Sequence, residues 1–522
     1  MSILKNVGAF FERSAMSRRA SLLLCFFAGA AGALPYFVKE LFIFTFVSIF
    51  LIFYIAVSQK REHKKAFAPF FWYFLGLYIP LYSFLSEMYP FDRFGFTESQ
   101  ANFVLFCACL GIPLLHASVQ ATVMLLSKAF SHKHFDAFGY ASLWVIAEWL
   151  LSLGFMAFPW GGVAVSMTGF LPYLQTASLF GKYFITVITA LACYYFASAI
   201  IDKKLKLSII ASSMIIVNIL AGYVIWAIPS KNAEPVKVAL IQGNVLSNEK
   251  WADENKSAIF QRYIGMAKEA AENNVNVVLL PESAIPTYFV PNGALHKVFA
   301  DIARQYNVTL VSGVQYYDFE SDEYFNAVVS VYPDGSLSDH YGKRHLVPFG
   351  EFVPFADTIG DILPFVKEFN ESSNSFTEGT KAVIFESEKA NISPLVCFDS
   401  IFTRYSREAA TEGAELIAIV TNDSWFNDSV GVTTHLRHAQ IRAIENKKSV
   451  IRAANTGISA SITQRGQILT STEPLVQDIE YTEVYTNQGK TLYTLIGDVI
   501  VYLSFITLIS LIISQFFKRK EH

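Results

Sequence analysis

Charged residues are scarce in this 522-residue chain, where Asp, Glu, Lys and Arg make up only 16% of the sequence. An average globular protein carries about 25% charged residues. Hydrophobic residues reach 53%, and the mean hydropathy of +0.36 is positive over the whole length, which excludes disorder and a purely soluble protein. The net charge of −3 argues against nucleic acid as a partner. We therefore expect a membrane protein.

Several common cofactor and metal motifs are missing as well. The sequence contains no glycine-rich phosphate-binding loop, and its ten histidines show no spacing typical of metal ligands. Five cysteines are too few for a disulfide framework over this length. We therefore expect neither a cofactor nor a metal.

Long apolar stretches are abundant. A helix needs about 20 apolar residues to cross a bilayer. Eight stretches come close to this length or exceed it: 20–37, 41–57, 66–85, 102–126, 138–157, 178–201, 207–228 and 492–516. The first seven predict a membrane domain over 1–230, and the eighth begins a final segment, 491–522, with a basic tail. Glu148 lies within the fifth stretch, where a carboxylate is costly and usually has a purpose.

Lysine and arginine are concentrated in alternate loops. The short loops on one side of the predicted spans hold only Lys39 and Arg93. The other basic residues next to the spans lie in both terminal segments and in the loops around 60–65, 128–133 and 203–206. The positive-inside rule then places both termini in the cytoplasm and residues 231–490 outside it.

Residues 231–490 show a different pattern. Helical patterns at 254–273, 294–306 and 433–447 alternate with short apolar runs, which is typical of α/β layers with buried sheets. The runs are VKVALIQGN (236–244), VNVVLLPES (275–283), VTLVSGVQYY (308–317), NAVVSVYP (326–333), ISPLVCFDS (392–400), ELIAIVTND (415–423) and VIRAANTGISASIT (450–463). This length is sufficient for one domain with its own core.

Three polar residues of this domain lie at strand ends or in the loops that follow. Glu282 ends VVLLPE, Lys343 lies in YGKRH, and Cys397 ends ISPLVC. Singly, each also fits an ordinary surface charge or a small core residue. However, the four other cysteines fall in predicted spans, so Cys397 has no disulfide partner and is a candidate nucleophile. A reactive thiolate needs a base or a cation nearby, which Glu282 and Lys343 could supply.

The motifs around these residues resemble a known family. Glu282, Lys343 and Cys397, within PES, GKRHLVPFGEFVP and VCFDS, are similar to the Glu-Lys-Cys triad of the nitrilase superfamily. The whole chain resembles the apolipoprotein N-acyltransferases, a bacterial inner-membrane family with a nitrilase-like domain on eight spans. Further matching segments are ASLWVIAEWLLS (141–152), FPWGGVAVS (158–166), LIQGNV (240–245), PESAIP (281–286), HLVPFGEFVP (345–354), TNDSWF (421–426), HAQIRAIE (438–445) and RAANTGISA (452–460).

The resemblance implies a fold and a reaction. The fold is an αββα sandwich attached to a polytopic helical membrane domain. The reaction is a two-step acyl transfer through a thioester on Cys397, with Glu282 as the base and Lys343 stabilising the oxyanion. The donor is a membrane phospholipid, and the acceptor is the N-terminal amine of a diacylglyceryl apolipoprotein.

Four further positions are assigned by the resemblance to the surroundings of the triad. Glu351 matches a family carboxylate, and Trp251 matches a family tryptophan. Asp399 stands where glutamate is common, and Phe398 stands where tyrosine is common, so this chain departs from the family pattern beside the nucleophile. FPWGG (158–162) is expected to form the floor of the site. The segments 88–96 and 355–376 are interpreted either as lipid-inserting or as ordinary packed loops.

Two other functions are compatible with the same triad. One is a membrane-tethered nitrilase-type amidase with water as the final nucleophile, although a soluble amide substrate would not require eight spans. The other is a catalytically idle relative that binds lipids or lipoproteins, although such a protein would be free to lose the three triad residues, and all three are present.

Overall fold

Apolar helices form the first part of the chain in this computed structural model, which describes residues 17–61, 67–89, 96–129, 136–231, 233–348, 350–352 and 376–520. The helices are α1 (Arg18–Phe37), α2 (Ile43–Arg61), α3 (Phe67–Leu81), α4 (Glu98–Phe106), α5 (Ile112–Met124), α6 (Asp136–Leu150), α7 (Val163–Ser166), α8 (Leu171–Leu174), α9 (Ala177–Phe180), α10 (Lys182–Asp202) and α11 (Leu205–Ala227). A π-helical turn, Cys107–Gly111, joins α4 to α5.

Five helical segments of the described residues are long and apolar enough to cross a membrane: Arg18–Phe37, Lys39–Ser58, Glu98–Lys128, Lys182–Asp202 and Leu205–Ala227. The helices Phe67–Leu81 and Val499–Ser514 are apolar but shorter. The predicted span 138–157 differs from the observed helix, because α6 ends at Leu150 and Gly154, within the predicted span, has a φ of 77°, outside the helical region. The total of eight spans stays a prediction.

Helices α1 and α3 touch backbone to backbone. A Cβ atom on Gly29 would lie 1.9 Å from the carbonyl oxygen of Tyr73, and a Cβ atom on Gly76 would lie 2.0 Å from that of Phe26. Only glycine permits this approach, which is a common way to pack helices in membranes.

The rest of the chain contains thirteen strands among the described residues. They are β1 (Pro235–Gln242), β2 (Val277–Leu280), β3 (Tyr288–Phe289), β4 (Thr309–Asp318), β5 (Glu323–Val331), β6 (Tyr341–Gly342), β7 (Phe385–Glu386), β8 (Asn391–Val396), β9 (Leu416–Thr421), β10 (Ser449–Ala454), β11 (Ala460–Ile462), β12 (Ile468–Ser471) and β13 (Asp478–Tyr485). The helices are α12 (Ser247–Lys250), α13 (Asp253–Glu272), α14 (Ala294–Tyr306), α15 (Thr403–Thr411), α16 (Val430–Asn446), α17 (Leu492–Ile496) and α18 (Val499–Lys520).

The strands form two sheets that pack face to face. The first has the order β13-β1-β2-β4-β5-β6, with β3 beside β4, and the second has the order β12-β11-β10-β9-β8-β7. Helices α13 and α14 cover the first sheet, and α15 and α16 cover the second. Along β1, Val236, Val238 and Leu240 face the second sheet while Ala239 and Ile241 face α13, as the two-residue period of a strand requires. The arrangement is the predicted αββα sandwich.

Two local expectations need correction. The run 450–463 is not one strand but the antiparallel pair β10 and β11, because the chain reverses between Ala454 and Ala460 around Gly457. Strands β12 and β13 were absent from the prediction, since their alternating partly exposed residues give no long apolar run. Of the segments considered above for lipid insertion, residues 90–95 of 88–96 and residues 355–375 of 355–376 lie outside the described residues.

Candidate active site

Cys397 lies at the carboxyl end of a buried strand. Strand β8 ends at Val396, and Cys397 begins a short 3₁₀ turn, Cys397–Ile401. Its φ of 47° lies in the left-handed region, which side chains other than glycine rarely adopt. Such backbone strain is found at functional sites because the surrounding structure must hold it.

Glu282 and Lys343 meet in the space between the sheets. Glu282 follows β2 and Lys343 follows β6, and only 6% and 1% of these residues are exposed. The Nζ atom of Lys343 lies 3.5 Å from Oε1 of Glu282 and 2.8 Å from a carboxylate oxygen of Glu351. The side-chain amide of Asn326, on β5, donates to both carboxylates at 2.7 Å. One lysine is thus held between two carboxylates.

Burial is the main reason why the thiol of Cys397 is protonated. Burial raises the pKa of Cys397 above its ordinary value, Glu282 acts in the same direction, and Lys343 opposes both. For Lys343, burial alone would lower the pKa, but Glu351 and Glu282 outweigh it and raise the pKa above its ordinary value. The site therefore combines a neutral thiol with a permanent cation, and a base must remove the thiol proton before attack.

Asp399 holds the loop that carries the lysine. Its buried carboxylate accepts from the hydroxyl of Tyr341 at 2.9 Å and from the backbone N–H of His345 at 2.9 Å and of Arg344 at 3.2 Å. Burial raises the pKa of Asp399 to about 6, although Lys343 and these donors lower it. The short side chain of Asp399 thus reaches the backbone N–H groups of the two residues directly after Lys343.

Aromatic residues of the membrane domain pack beside Phe398, the neighbour of Cys397. The ring of Phe398 stacks on Phe158 of the FPWGG loop, with centroids 5.8 Å apart. Trp160 of the same loop stacks on Phe84, and Phe84 contacts Phe426 edge to face. We call Phe84, Phe158, Trp160, Phe398 and Phe426 the aromatic wall. Both the membrane helices and the sandwich contribute to it.

Trp251 and Glu148 make their contacts outside the group of Glu282, Lys343 and Cys397 side chains. Trp251 follows α12, where Nζ of Lys250 lies 5.8 Å from its ring centroid and also donates to the backbone oxygen of Glu282 at 3.4 Å. Glu148, on α6, accepts from the backbone N–H of Val163 at 3.1 Å and from the hydroxyl of Thr186 at 2.8 Å. The first contact anchors the end of the FPWGG loop.

Several polar residues of the site were not predicted from the sequence. No motif pointed to Asn326, because in the sequence it is only the first residue of the apolar run NAVVSVYP. Behind Cys397, Asp423 lies 2.9 Å from Nδ1 of His435 and also pairs with Arg452. Two of these residues, Asp423 in TNDSWF and Arg452 in RAANTGISA, lie within segments that carried the resemblance.

A metal is not the best interpretation of this second cluster. Cys397, Asp423 and His435 place one potential ligand atom each within 4.8 Å of one another. However, the carboxylate already accepts from His435 and Arg452, and the other ring nitrogen of His435 lies 3.1 Å from a backbone oxygen. We therefore interpret the cluster as a hydrogen-bond network.

Two family descriptions match this chain. Residues 237–488 match "Carbon-nitrogen hydrolase", and residues 28–195 match "Apolipoprotein N-acyltransferase N-terminal domain". An apolipoprotein N-acyltransferase of Geobacter metallireducens is 31% identical over 373 residues, which cover 69% of this chain and 70% of the relative. The chain belongs to the apolipoprotein N-acyltransferase family.

The similarity to this family reaches nearly the whole chain. The apolipoprotein N-acyltransferase of Haemophilus influenzae is 27% identical over 529 residues, which cover 97% of each chain. Among solved structures, Saccharomyces cerevisiae Nit3, a member of branch 10 of the nitrilase superfamily, is 20% identical with a TM-score of 0.39, covering 48% of this chain and 90% of its own. The family match and the observed sandwich confirm the predicted fold class and the resemblance.

Proposed function

We propose that this chain moves an acyl chain from a membrane phospholipid to the α-amine of an S-diacylglyceryl cysteine at the N-terminus of an apolipoprotein. Its family makes it an acyltransferase of the bacterial inner membrane that N-acylates lipoproteins, with lipid and lipoprotein substrates. The phospholipid as donor, the diacylglyceryl cysteine as acceptor and the extracytoplasmic orientation of residues 231–490 are parts of the proposal.

The first step forms a thioester. Glu282 removes the proton of Cys397, and the sulfur attacks the ester carbonyl carbon of the phospholipid. Lys343 offsets the negative charge that develops on the carbonyl oxygen. The ester C–O bond then breaks, Glu282 returns the proton to the departing alkoxide, and a lysophospholipid leaves.

The second step consumes the thioester. The unprotonated amine of the acceptor attacks the thioester carbonyl carbon, Glu282 takes a proton from the amine, and the C–S bond breaks. The proton passes to the sulfur, which restores Cys397 as a thiol. Two half-reactions through a covalent intermediate require ping-pong kinetics.

The position of the aromatic wall is the observation that carries this proposal. Cys397 is followed directly by Phe398, which stacks on Phe158 of the FPWGG loop in the membrane domain. Apolar side chains of the membrane domain therefore pack beside the residue next to Cys397. A lipid acyl chain can be bound by such a surface, whereas a soluble amide would not need it.

The proposal is tested by trapping the acyl-enzyme. The full chain in detergent is mixed with phospholipid labelled in its acyl chain and quenched in acid, and its cysteine peptides are analysed by mass spectrometry. We expect label on Cys397, none on this peptide in Cys397→Ala, and unchanged labelling in Cys109→Ala, which removes a partly buried cysteine of the π-helical turn.

A diacylated lipopeptide is then added to the labelled enzyme. Passage of the label to the lipopeptide amine supports the transferase. Loss of the label to water alone, with the lipopeptide unmodified, would favour the membrane-tethered amidase. Absence of label in folded protein would leave the idle lipid- or lipoprotein-binding relative.

A further inference from the structure

Two buried polar side chains of the membrane domain have no part in the two steps above. Tyr36 lies in the last turn of helix α1 and Glu148 in the last turn of helix α6, and only 2% and 8% of these residues are exposed. Burying a hydroxyl costs free energy unless it is hydrogen-bonded, and burying a carboxylate costs more. Both side chains therefore need partners, and both find them in the FPWGG loop or directly after it.

The hydroxyl of Tyr36 binds the last residue of this loop. It donates to the backbone carbonyl oxygen of Gly162 at 2.9 Å and accepts from the backbone N–H of the same residue at 2.9 Å. Gly162 is extended, with a φ of −163° and a ψ of 157°, so its N–H and C=O groups point to the same side. One side chain thus fixes both polar backbone groups of Gly162.

The carboxylate of Glu148 binds the next residue along the chain. One of its oxygens accepts from the backbone N–H of Val163 at 3.1 Å, and the other accepts from the hydroxyl of Thr186 on α10 at 2.8 Å. Val163 is the first residue of α7, and an N–H group in the first turn has no partner inside its own helix. Glu148 therefore connects the end of the FPWGG loop to α10. We call Tyr36 and Glu148 the loop clamp.

The same loop carries two rings of the aromatic wall. Phe158 stacks on Phe398 with centroids 5.8 Å apart, and Trp160 stacks on Phe158 with centroids 5.2 Å apart. Trp160 lies two residues before Gly162, so a shift of the backbone at Gly162 would carry the rings with it. Such a shift would move the apolar surface that the acyl chain is proposed to contact.

The loop clamp is separate from the charged groups around the nucleophile. The charged groups that act on the Cys397 thiol are Glu282, Lys343 and Asp423. Within the described part of the chain, the loop clamp forms no hydrogen bond with these three residues. A change in the loop clamp can therefore alter where the lipid binds without altering the reactivity of the sulfur.

We propose, on the basis of the lipid acyl transfer proposed above, that Tyr36 and Glu148 are positioning residues for the phospholipid. They fix the backbone at the end of the FPWGG loop, and this holds Phe158 and Trp160 where the acyl chain packs. Loss of the loop clamp weakens phospholipid binding and leaves the chemistry of Cys397 unchanged.

The test compares two tyrosines of one cavity. Tyr36, Tyr73 and Glu148 all line a cavity inside the membrane domain. Tyr36→Phe removes the hydroxyl that is bonded to Gly162. Tyr73→Phe is the matched control, because it removes an equally buried hydroxyl that lies 2.8 Å from the Ser48 hydroxyl and does not bind the loop.

Two reactions are measured on the full chain in detergent. Formation of the acyl-enzyme from labelled phospholipid is followed across the phospholipid fraction of mixed micelles, which separates the half-saturating fraction from the maximal rate. Alkylation of Cys397 by iodoacetamide, followed by mass spectrometry of its peptide, measures the nucleophile without any lipid.

We expect the half-saturating phospholipid fraction to rise about tenfold in Tyr36→Phe, the order expected for the loss of a buried hydrogen-bond partner. The maximal acylation rate and the alkylation rate should stay at the wild-type values, and Tyr73→Phe should leave the half-saturating fraction unchanged. Glu148→Leu should raise this fraction further, whereas Glu148→Gln, which keeps an oxygen acceptor for the Val163 N–H, should raise it less.

An unchanged half-saturating fraction in Tyr36→Phe, or an equal rise in Tyr73→Phe, would overturn the proposal. Slower alkylation of Cys397 in Tyr36→Phe would also overturn it, because the substitution would then act on the nucleophile itself. If Glu148→Leu does not fold, the two tyrosine variants decide. Absence of an acyl-enzyme in the wild type contradicts the acyl transfer and the loop clamp with it, whereas an acylated wild type with unchanged variants contradicts the loop clamp alone.

Discussion

At the scale of single residues, Asp399 connects the segment after Cys397 to the loop after Lys343. Its carboxylate is buried, and three donors from Tyr341, Arg344 and His345 surround it. Two of the donors are backbone groups directly after Lys343, so Asp399 controls where the lysine loop lies. The short side chain of Asp399 reaches these donors directly.

Asp399→Asn tests the ionisation of this carboxyl. Because burial raises the pKa of Asp399 from 3.8 to about 6, the native state binds more protons than the unfolded state between these values. The stability of the wild type relative to Asp399→Asn should therefore be greatest below pH 4 and fall by about 3 kcal/mol as pH rises to about 6, then stay constant. Unfolding of both proteins in detergent across pH measures this difference, and parallel curves would contradict it.

At the scale of elements, the strands that carry the site are packed with almost no space between them. Gly313 on β4 lies against the backbone of Glu282, which follows the neighbouring strand β2. A Cβ atom there would lie 2.5 Å from Cα of Glu282 and 2.6 Å from the carbonyl oxygen of Pro281. These nearest atoms belong to the backbone and cannot rotate away as a side chain could. The position of Glu282 therefore depends on a glycine in another strand.

Gly313→Ala should displace Glu282 and reduce the rate of acyl-enzyme formation by about 100-fold, because catalytic groups tolerate little misplacement. The control is Gly265→Ala in helix α13, where an added Cβ meets nothing within 4 Å and helix propensity rises by up to about 1 kcal/mol. Burst-phase acylation and thermal unfolding are measured for both variants. A wild-type acylation rate in Gly313→Ala would show that β2 can move without loss of geometry.

At the scale of the whole molecule, the sandwich and the membrane helices are joined by specific contacts. Arg437 on α16 donates to the backbone oxygen of Pro35 on α1 at 2.6 Å, and Glu445 on the same helix accepts from the backbone of Lys182 on α10 at 2.9 Å. Helix α16 also carries His435, which lies 3.1 Å from the Cys397 carbonyl oxygen and packs on Trp160. The candidate catalytic residues are therefore in contact with both parts of the chain.

The orientation proposed from the loop charges is tested by labelling in cells. Asp301→Cys places a thiol on the exposed face of α14, and Lys204→Cys places one in the basic loop between α10 and α11. A membrane-impermeant maleimide should label Asp301→Cys in intact spheroplasts, and Lys204→Cys only after permeabilisation. The opposite pattern would place residues 231–490 in the cytoplasm.

Features that depend on residues close together in the chain could be predicted from the sequence. Hydropathy over about 20 residues predicted the apolar helices. Short apolar runs that alternate with the helical patterns of α13 and α14 predicted an α/β domain. Glu282, Lys343 and Cys397 were selected because each lies in a short motif at a predicted strand end or in the loop after it.

Other features were decided only by the tertiary structure, because their partners are far apart in the chain. Asn326 meets Glu282 across 44 positions, and Arg452 meets Asp423 across 29. Phe158 and Phe398 come from different parts of the molecule, and no local pattern could pair them. The amino-acid sequence by itself determined the membrane class, the layered α/β fold and the candidate nucleophile through local hydropathy, period and motif. The packing of the two sheets on each other and of helix α16 on the second sheet decided which buried charges surround that candidate nucleophile, since a charge in the interior is stable only where folding brings its partners to it.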